Sequence, residues 1–293
     1  MPDITLFQGD NLKIMVHHIK NESIDLIYLD PPFNSNQNFS LLAQGDKDSI
    51  KSKKHKAYQD TWRWDNAAVN NFNLIIEEIA PELKDAMWAF RKLLGESNRL
   101  SYVVMMTLRL RELHRVLKSS GSIYLHCDQS ASSYIRSLMD VIFGPENFLN
   151  CISWCYGLGG SSSRYWPRKH DDILWYSKSA DQHYFEAVQI PATSQMMKGK
   201  TKKAPDYWNI PTINNMAHER NGYPTQKPEK LLEMIIMSSS KERDLILDPC
   251  CGSGTTLKVA SNLNRRAIGI DSSETAIEVC KNRFEEQNTE VSS

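Results

Sequence analysis

The sequence has no apolar run that approaches the roughly eighteen residues a membrane span requires. Its first residues, Met1 to Ile4, also lack the basic segment and the apolar stretch of a secretory signal. We therefore expect no membrane anchor, no membrane partner and no secretion, with the cytoplasm as the location of the chain.

Paired cysteines are missing too. The six cysteines form no Cys-x-x-Cys pair and have no matching histidine spacing; they are Cys127, Cys151, Cys155, Cys250, Cys251 and Cys280. This pattern argues against a structural metal site and, without a secretory context, against a disulfide framework. We expect reduced cysteines that mostly serve packing.

An excess charge of one sign is also absent, because 35 basic residues balance 35 acidic residues in a chain of 293. Two short segments, residues 51–56 and residues 198–203, are nevertheless strongly basic. Such clusters suit phosphate neutralisation, because each contact releases condensed counterions, although an isolated lysine run is more often a solvated loop. The lysines concerned are Lys51, Lys53, Lys54, Lys56, Lys198, Lys200, Lys202 and Lys203.

Strands and helices alternate at both ends of the chain. Apolar patterns predict strand, helix and strand within residues 4–29, and an alternation of helices and strands within residues 229–284. Apolar residues three and four apart also predict helices over residues 74–94 and 102–117. The alternation predicts an α/β fold with a doubly wound, mostly parallel sheet and helices on both faces.

Two segments fall outside this alternation. Residues 34–73 are polar with little periodicity, and residues 178–224 carry four prolines, so we expect irregular structure in both rather than strands of the main sheet. The predicted division is a main α/β domain of residues 1–177 and 223–293, an insertion of residues 178–222, and a long flexible loop of residues 34–66.

The strand predicted at residues 24–29 runs directly into Asp30-Pro31-Pro32-Phe33. The two prolines stiffen the turn and hold the Asp30 side chain and the Pro31 carbonyl in a set geometry. These acceptors suit the two hydrogens of an amino group on a planar ligand, whose ring can stack on Phe33. Taken alone, the four residues also fit a plain Pro-Pro turn after a strand.

A second motif, residues 248–256, lies between a predicted strand and a predicted helix, and Asp271 ends the next strand. Gly252 and Gly254 let the backbone approach a ligand closely, while an acid at the position of Asp271 accepts from ribose hydroxyls. The turn is compatible with NAD and with S-adenosylmethionine. Because a carboxylate such as Asp248 would repel a pyrophosphate but suits a cationic amino acid moiety, we favour S-adenosylmethionine.

In this order the two motifs closely resemble the beta class of site-specific DNA amino-methyltransferases, which belong to bacterial and phage modification systems. Further stretches are similar to that class: Gln8 to Asp10, Leu117 to Asp128, His170 with Asp171, Pro224 to Pro228, and Ile268 to Asp271. The resemblance implies a Rossmann-like sheet with circularly permuted motifs. Cys250-Cys251 departs from the family, which usually has a bulky residue in this loop.

The resemblance implies that Asp30, Pro31, Pro32 and Phe33 are catalytic and receive the exocyclic amine of a flipped-out base. It implies S-adenosylmethionine as cofactor, S-adenosylhomocysteine as product, and no metal. The implied cofactor-binding residues are Asp10, Asp30, Thr225, Lys227, Asp248, Pro249, Gly252, Gly254, Thr255, Thr256 and Asp271. Since Asp tends to begin the tetrapeptide in the family's adenine enzymes, we favour N6 of adenine over N4 of cytosine.

Double-stranded DNA is the implied substrate, with residues 178–222 as target-recognition region and residues 34–66 as a DNA-contacting loop. A cognate restriction endonuclease and a second copy of the chain are further partners to consider. His126 with Asp128 reads as a general-base pair or, more simply, as structural residues at a strand end. Two alternatives stay open: an enzyme that acts on RNA or a protein amide nitrogen, and a non-catalytic DNA-binding protein with a retained cofactor fold.

Overall fold

The structure is a computed structural model. It describes residues 3–32, 37–41, 55–60, 62–78, 81–157, 161–192, 194, 198–214, 217–223 and 225–290. Within these ranges, only the backbone is described for residues 37–41, 55–60, 81–82 and 285–290.

The helices are α1 (Asn11–His18), α2 (Asn66–Glu78), α3 (Pro81–Leu94), α4 (Asn98–Val116), α5 (Ser132–Phe143), α6 (Glu229–Ser239), α7 (Thr255–Asn262) and α8 (Glu274–Glu290). The strands are β1 (Ile4–Gln8), β2 (Ile24–Leu29), β3 (Gln37–Leu41), β4 (His55–Asp60), β5 (Leu117–Cys127), β6 (Phe148–Cys155), β7 (His170–Ser177), β8 (Gln189–Pro191), β9 (Thr201–Lys203), β10 (Tyr207–Asn209), β11 (Leu245–Asp248) and β12 (Arg266–Asp271). None of these helices combines the length and the apolar character that a membrane crossing needs.

One sheet of eight strands, in the order β1-β12-β11-β2-β5-β7-β6-β10, organises the chain. Every neighbouring pair is parallel except the two that involve β7, which runs antiparallel to β5 and to β6. The mostly parallel α/β sheet predicted from the sequence is therefore confirmed. The carboxyl ends of β1, β12, β11, β2, β5 and β6 all meet at one side of the sheet, called here the carboxyl edge, and β7 begins there.

β2 shows why this sheet is buried on both faces. Its side chains alternate between two apolar clusters: Leu26 and Tyr28 pack with α6 and α7, while Ile27 and Leu29 pack with α1, α4 and α5. A parallel strand covered by helices on both sides reads as a continuous apolar run. The run without a polar break that marks β2 in the sequence has this cause.

The structure corrects the prediction for residues 34–73. This stretch contains the antiparallel pair β3 and β4 and the first half of α2, and the helix expected over residues 74–94 is two helices, α2 and α3. The local signal for α2 is Asp65, whose carboxylate accepts from the backbone N–H of Ala68, 3.0 Å away. Such a capping acid marks a helix start.

The prediction that residues 178–224 stay outside the main sheet is also wrong in part. β8 and β9 form a small antiparallel ribbon, but β10 pairs in parallel with the end of β6 and extends the main sheet. A three-residue strand is too short to produce a readable periodicity, and its place is stabilised by a distant partner: Trp154 Nε1 donates to the carbonyl of Ile210 at 2.7 Å.

Candidate active site

A cavity of about 520 Å³ opens at the carboxyl edge, and Asp30 lies in its wall directly after β2. Pro31 and Pro32 line the same cavity. Phe33 lies outside the described residues. The end of a strand that is apolar from Leu26 to Leu29 thus places a carboxylate in the cavity wall, as expected for a ligand site at the carboxyl ends of parallel strands.

The two oxygens of the Asp30 carboxylate differ in their surroundings. Oδ2 forms an ion pair with Nζ of Lys227 at 2.5 Å. Oδ1 is buried and has no hydrogen-bond partner within the described residues; Nδ1 of His126 is 3.6 Å away. A buried acceptor without a donor is rare in folded proteins, so Oδ1 is available to a donor on a ligand.

His126 connects this carboxylate to a second one. Its Nε2 donates to Oδ2 of Asp171 at 3.1 Å, and its Nδ1 is 3.3 Å from the hydroxyl of Tyr28. Burial, followed by the neighbouring carboxylates, keeps the pKa of the Tyr28 hydroxyl well above its ordinary value. That hydroxyl therefore stays protonated, and it lies within hydrogen-bonding distance of the His126 ring.

Asp171 is the charged end of this chain of contacts. Burial alone would raise the pKa of its carboxyl, but the hydrogen bond and the electrostatic attraction of His126, followed by the charge of Lys227, outweigh burial and lower the pKa. Asp128, the partner suggested by sequence for His126, instead accepts from the backbone of Ser130 at 3.0 Å in its own turn. The histidine pairs across strands, with a residue 45 positions away.

The loop between β11 and α7 forms another wall of the cavity. Gly252 and Gly254 have φ values of +49° and +75°, which suit glycine. A Cβ on Gly254 would collide with Sγ of Cys280. The carboxylate of Asp271, at the end of β12, accepts from the N–H of Gly252 at 2.9 Å and that of Ser273 at 2.8 Å, so this loop is tied to the next strand.

The buried carboxyl of Asp248 and the half-buried carboxyl of Asp271 face the same cavity. Burial raises the pKa of Asp248 to about 7; the nearby charges of Asp30 and Asp271 add to the rise, while hydrogen bonds from Thr256 and Cys250 oppose it. Burial also raises the pKa of Asp271, against the effect of its backbone donors. A cationic ligand group would relieve this crowding of acids.

Asp10 forms the far wall. Its carboxylate caps α1 by accepting from the N–H of Lys13 at 3.1 Å, and it forms an ion pair with Nη2 of Arg109 at 2.8 Å. Asn11 contacts the loop between β11 and α7, donating to the carbonyl of Pro249 at 2.9 Å, and it accepts from Nε of Arg109 at 2.8 Å. The first and last parts of the chain therefore meet at this wall.

Most of the residues singled out from the sequence line the cavity: Asp10, Asp30, Pro31, Pro32, Thr225, Lys227, Asp248, Pro249, Gly252, Thr255, Thr256 and Asp271. Gly254, the N-cap of α7, is not among the lining residues. Sequence reasoning missed several lining residues: Asn11, Tyr28, Trp62, Met105, Met106, Arg109, Tyr223, Gln226 and Ser272. Arg109 had no distinguishing signal, because it is one of four arginines in α4.

The basic clusters are placed unevenly. Lys51, Lys53 and Lys54 lie outside the described residues, and Lys56 is on β4, where only the backbone is described. Lys198, Lys200 and Lys203 are exposed and Lys202 is half-buried. The ribbon of β8 and β9 leads into a stretch, residues 204–206, that shares a small cavity with Asn150. Asn150 is near the start of β6, at the opposite end from the carboxyl edge.

Comparison with known proteins gives a consistent result. The family model described as "DNA methylase" (N6_N4_Mtase) matches residues 24–282. The type II methyltransferase M2.LlaDCHI of Lactococcus lactis subsp. cremoris is 30% identical over 95% of this chain and 88% of its own length. The DNA adenine methyltransferase YhdJ of Escherichia coli (strain K12) is 27% identical over 91% and 78%.

A further relative, the type II methyltransferase M.HpaI of Haemophilus parainfluenzae, is 34% identical over 61% of this chain, a match that spans 58% of M.HpaI. Among solved structures, the PvuII DNA methyltransferase (cytosine-N4-specific) superposes with a TM-score of 0.63 at 16% identity, covering 97% of this chain and 88% of the other. That likeness shows a shared fold. With a cavity at the carboxyl edge, the predicted motifs in its walls and a family match over most of its length, the chain belongs to the DNA methylase family.

Proposed function

We propose that the chain transfers a methyl group from S-adenosylmethionine to the exocyclic N6 of adenine in DNA. The observation that carries this proposal is the buried Oδ1 of Asp30, which lacks a hydrogen-bond partner in the described structure and lies in the cavity wall beside Lys227. An amino group supplies the donors that this corner lacks, and aromatic amines are the acceptors of methyl groups in this family.

The residues present fit S-adenosylmethionine. The cavity of about 520 Å³ falls in the usual range for sites of small ligands, roughly 300–1,000 Å³. Asp248 would face the cationic part of the cofactor, Asp271 the ribose hydroxyls and Asp10 the adenine amino group. When bound, the cofactor supplies an electrophilic methyl group on a sulfonium.

The chain's own residues prepare the amine. Its lone pair is delocalised into the base ring, and hydrogen bonds from its N–H groups to Asp30 and to the Pro31 carbonyl would localise that pair on nitrogen. Lys227 holds the Asp30 carboxylate in place through the ion pair at Oδ2. Phe33 would stack on the base after it leaves the duplex.

Adenine is the proposed base because Asp30 heads the tetrapeptide and because a relative matched over most of the chain is named a DNA adenine methyltransferase. The type II methyltransferases among the relatives support a role in restriction and modification in the bacterial cytoplasm. A cognate endonuclease and a homodimer belong to that proposal.

DNA contact by the two insertions is also a proposal. Residues 178–222 would recognise the target sequence, and residues 34–66, with the lysines of both basic clusters, would contact the phosphates. Replacing Lys198, Lys200 and Lys203 together by Gln should weaken DNA binding and flatten its dependence on salt, because about 0.9 counterions are released per phosphate contact. An unchanged salt slope would remove these lysines from the interface.

The reaction is tested by incubating the protein with radiolabelled S-adenosylmethionine and DNA, then digesting the DNA to nucleosides. Label in N6-methyladenine is the expected result; label in N4-methylcytosine would correct the base, and transfer only to RNA or protein would overturn the DNA assignment. Asp30→Ala should reduce turnover by at least about 10²-fold, a much larger loss than its effect on cofactor binding, which should stay largely intact. Asp181→Ala, at an exposed acid outside the cavity, is the matched control.

A further inference from the structure

The connection between β6 and β7 carries an unassigned feature. Its described part, residues 161–169, is called here the aromatic loop. The loop is closed at its base, where the N–H of Tyr156 donates to the carbonyl of Lys169 at 3.1 Å. Because β6 ends and β7 begins at the carboxyl edge, the loop leaves the sheet on the same side as the Asp30 cavity.

Two rings in the aromatic loop are turned to solvent. Trp166 is 94% exposed, the largest value among the bulky apolar side chains of the described structure, and Tyr165 is 66% exposed. Neither ring contacts another ring or a cation within the described residues. An apolar ring stabilises a folded protein by being buried away from water. Because Trp166 is almost fully exposed, its ring contributes little to the stability of the fold.

The charged residues of this connection have one sign as far as Lys169. Residues 157–169 contain three basic residues, Arg164, Arg168 and Lys169, and no acidic residue. Arg164 and Arg168 are both exposed. In a chain whose total charge is zero, this combination of exposed cations with exposed rings is the chemistry that binds phosphates and stacks on bases.

The base of the loop is coupled to the catalytic corner. Asp171 follows the loop by two residues, accepts from His126 at 3.1 Å, and lies 3.4 Å from the hydroxyl of Tyr156. His126 in turn approaches Oδ1 of Asp30 to 3.6 Å. The loop therefore stands beside the place where the target base must arrive.

We infer that the aromatic loop enters the DNA duplex, with Trp166 filling the place in the base stack that the target base vacates and with Arg164 and Arg168 on the flanking phosphates. The inference rests on the proposed function, since only an extruded base leaves a gap. Extrusion costs the stacking and pairing of that base, and a ring that takes its place restores part of the stacking. A protein partner fits less well, because a basic surface without acids has no counterpart in a partner that is not itself strongly acidic.

The test compares the wild-type chain with Trp166→Ala, Trp166→Phe and the control Trp88→Ala, at another exposed tryptophan, 50% exposed on α3. The substrate is a duplex that contains the sequence methylated by the wild-type chain on plasmid DNA. Trp166→Ala should lower kcat/KM for this duplex by about tenfold or more, the loss expected for one stacked base. Trp166→Phe and Trp88→Ala should stay near wild type, and S-adenosylhomocysteine binding should be equal in all four proteins.

A second substrate separates gap filling from simple DNA contact. When the target base is mismatched, its extrusion costs less, so the defect of Trp166→Ala should shrink several-fold on the mismatched duplex. A defect of equal size on both duplexes would overturn the assignment to the vacated position, and wild-type activity of Trp166→Ala on both would overturn the inference as a whole. If the wild-type chain labels no DNA, the proposed function fails first and the inference falls with it.

Discussion

The affinity of the cavity for its cofactor should depend on pH through Asp248. Burial and neighbouring carboxylates raise the pKa of this carboxyl to about 7. A cationic ligand group favours the ionised form, so it binds well only after the proton has left. Affinity should therefore increase as pH rises through about 7 and level off above it.

The size of the effect follows from the pKa. If the cofactor binds only when Asp248 is ionised, the apparent Kd is inversely proportional to the ionised fraction of Asp248. That fraction follows from a pKa of about 7. Between pH 8 and pH 6 the Kd should then rise about tenfold, or about 1.4 kcal/mol. Calorimetric titration with S-adenosylhomocysteine, which keeps the cationic amino group and cannot react, measures this directly.

Asp248→Asn isolates the responsible group. The variant should bind more weakly at pH 8 and should lose most of the change between pH 6 and pH 8, because the amide does not titrate. Asp181→Asn, at an exposed acid outside the cavity, should keep the wild-type pH dependence. A wild-type Kd that is constant from pH 6 to pH 8, or an Asp248→Asn variant that keeps the whole tenfold change, would refute the reasoning.

Two further predictions concern the frame of the site. His126→Ala and Asp171→Asn should each lower kcat with little change in cofactor Kd. The double variant should lose no more activity than the more damaged single variant, because the two side chains act as one hydrogen-bonded pair. Additive losses measured in single-turnover assays would contradict this. Gly254 has a φ of +75° and lies against Cys280, so Gly254→Ala should lower the free energy of unfolding, measured in urea, by about 2–4 kcal/mol. Gly199 has a φ of +78° and open space around it, so Gly199→Ala should lower that free energy only by the backbone contribution of about 1 kcal/mol. Equal losses would show that the contact with Cys280 is harmless.

Local patterns sufficed where one short segment carries the information. The apolar run of β2 predicted a buried strand, and Asp30 and Pro31, expected at its end as a ligand corner, line the cavity. The glycines at 252 and 254 predicted a loop whose backbone can approach a ligand closely, and both have positive φ. These features depend on near neighbours in the chain, so the sequence is enough to find them.

The prediction failed where elements are short or where a distant partner decides. The three residues of β10 are held by Trp154 and β6. Residues 34–73 show little periodicity, and a local signal for α2 is the single capping acid Asp65. The wall formed by Asn11 and Arg109 arises from a contact between α1 and α4, residues 98 positions apart. No local propensity encodes such a contact.

The sequence by itself determined the kind of chemistry: a rigid carboxylate corner for an amino group, a glycine loop with two acids for a cofactor, and their order along the chain. Only the tertiary structure decided what surrounds that carboxylate. It brings Lys227 to one carboxylate oxygen of Asp30 and leaves the other oxygen without a hydrogen bond in the described structure. It also links His126 to Asp171 at the base of the aromatic loop. The physical reason is the parallel sheet, which gathers strand ends from all parts of the chain at one edge.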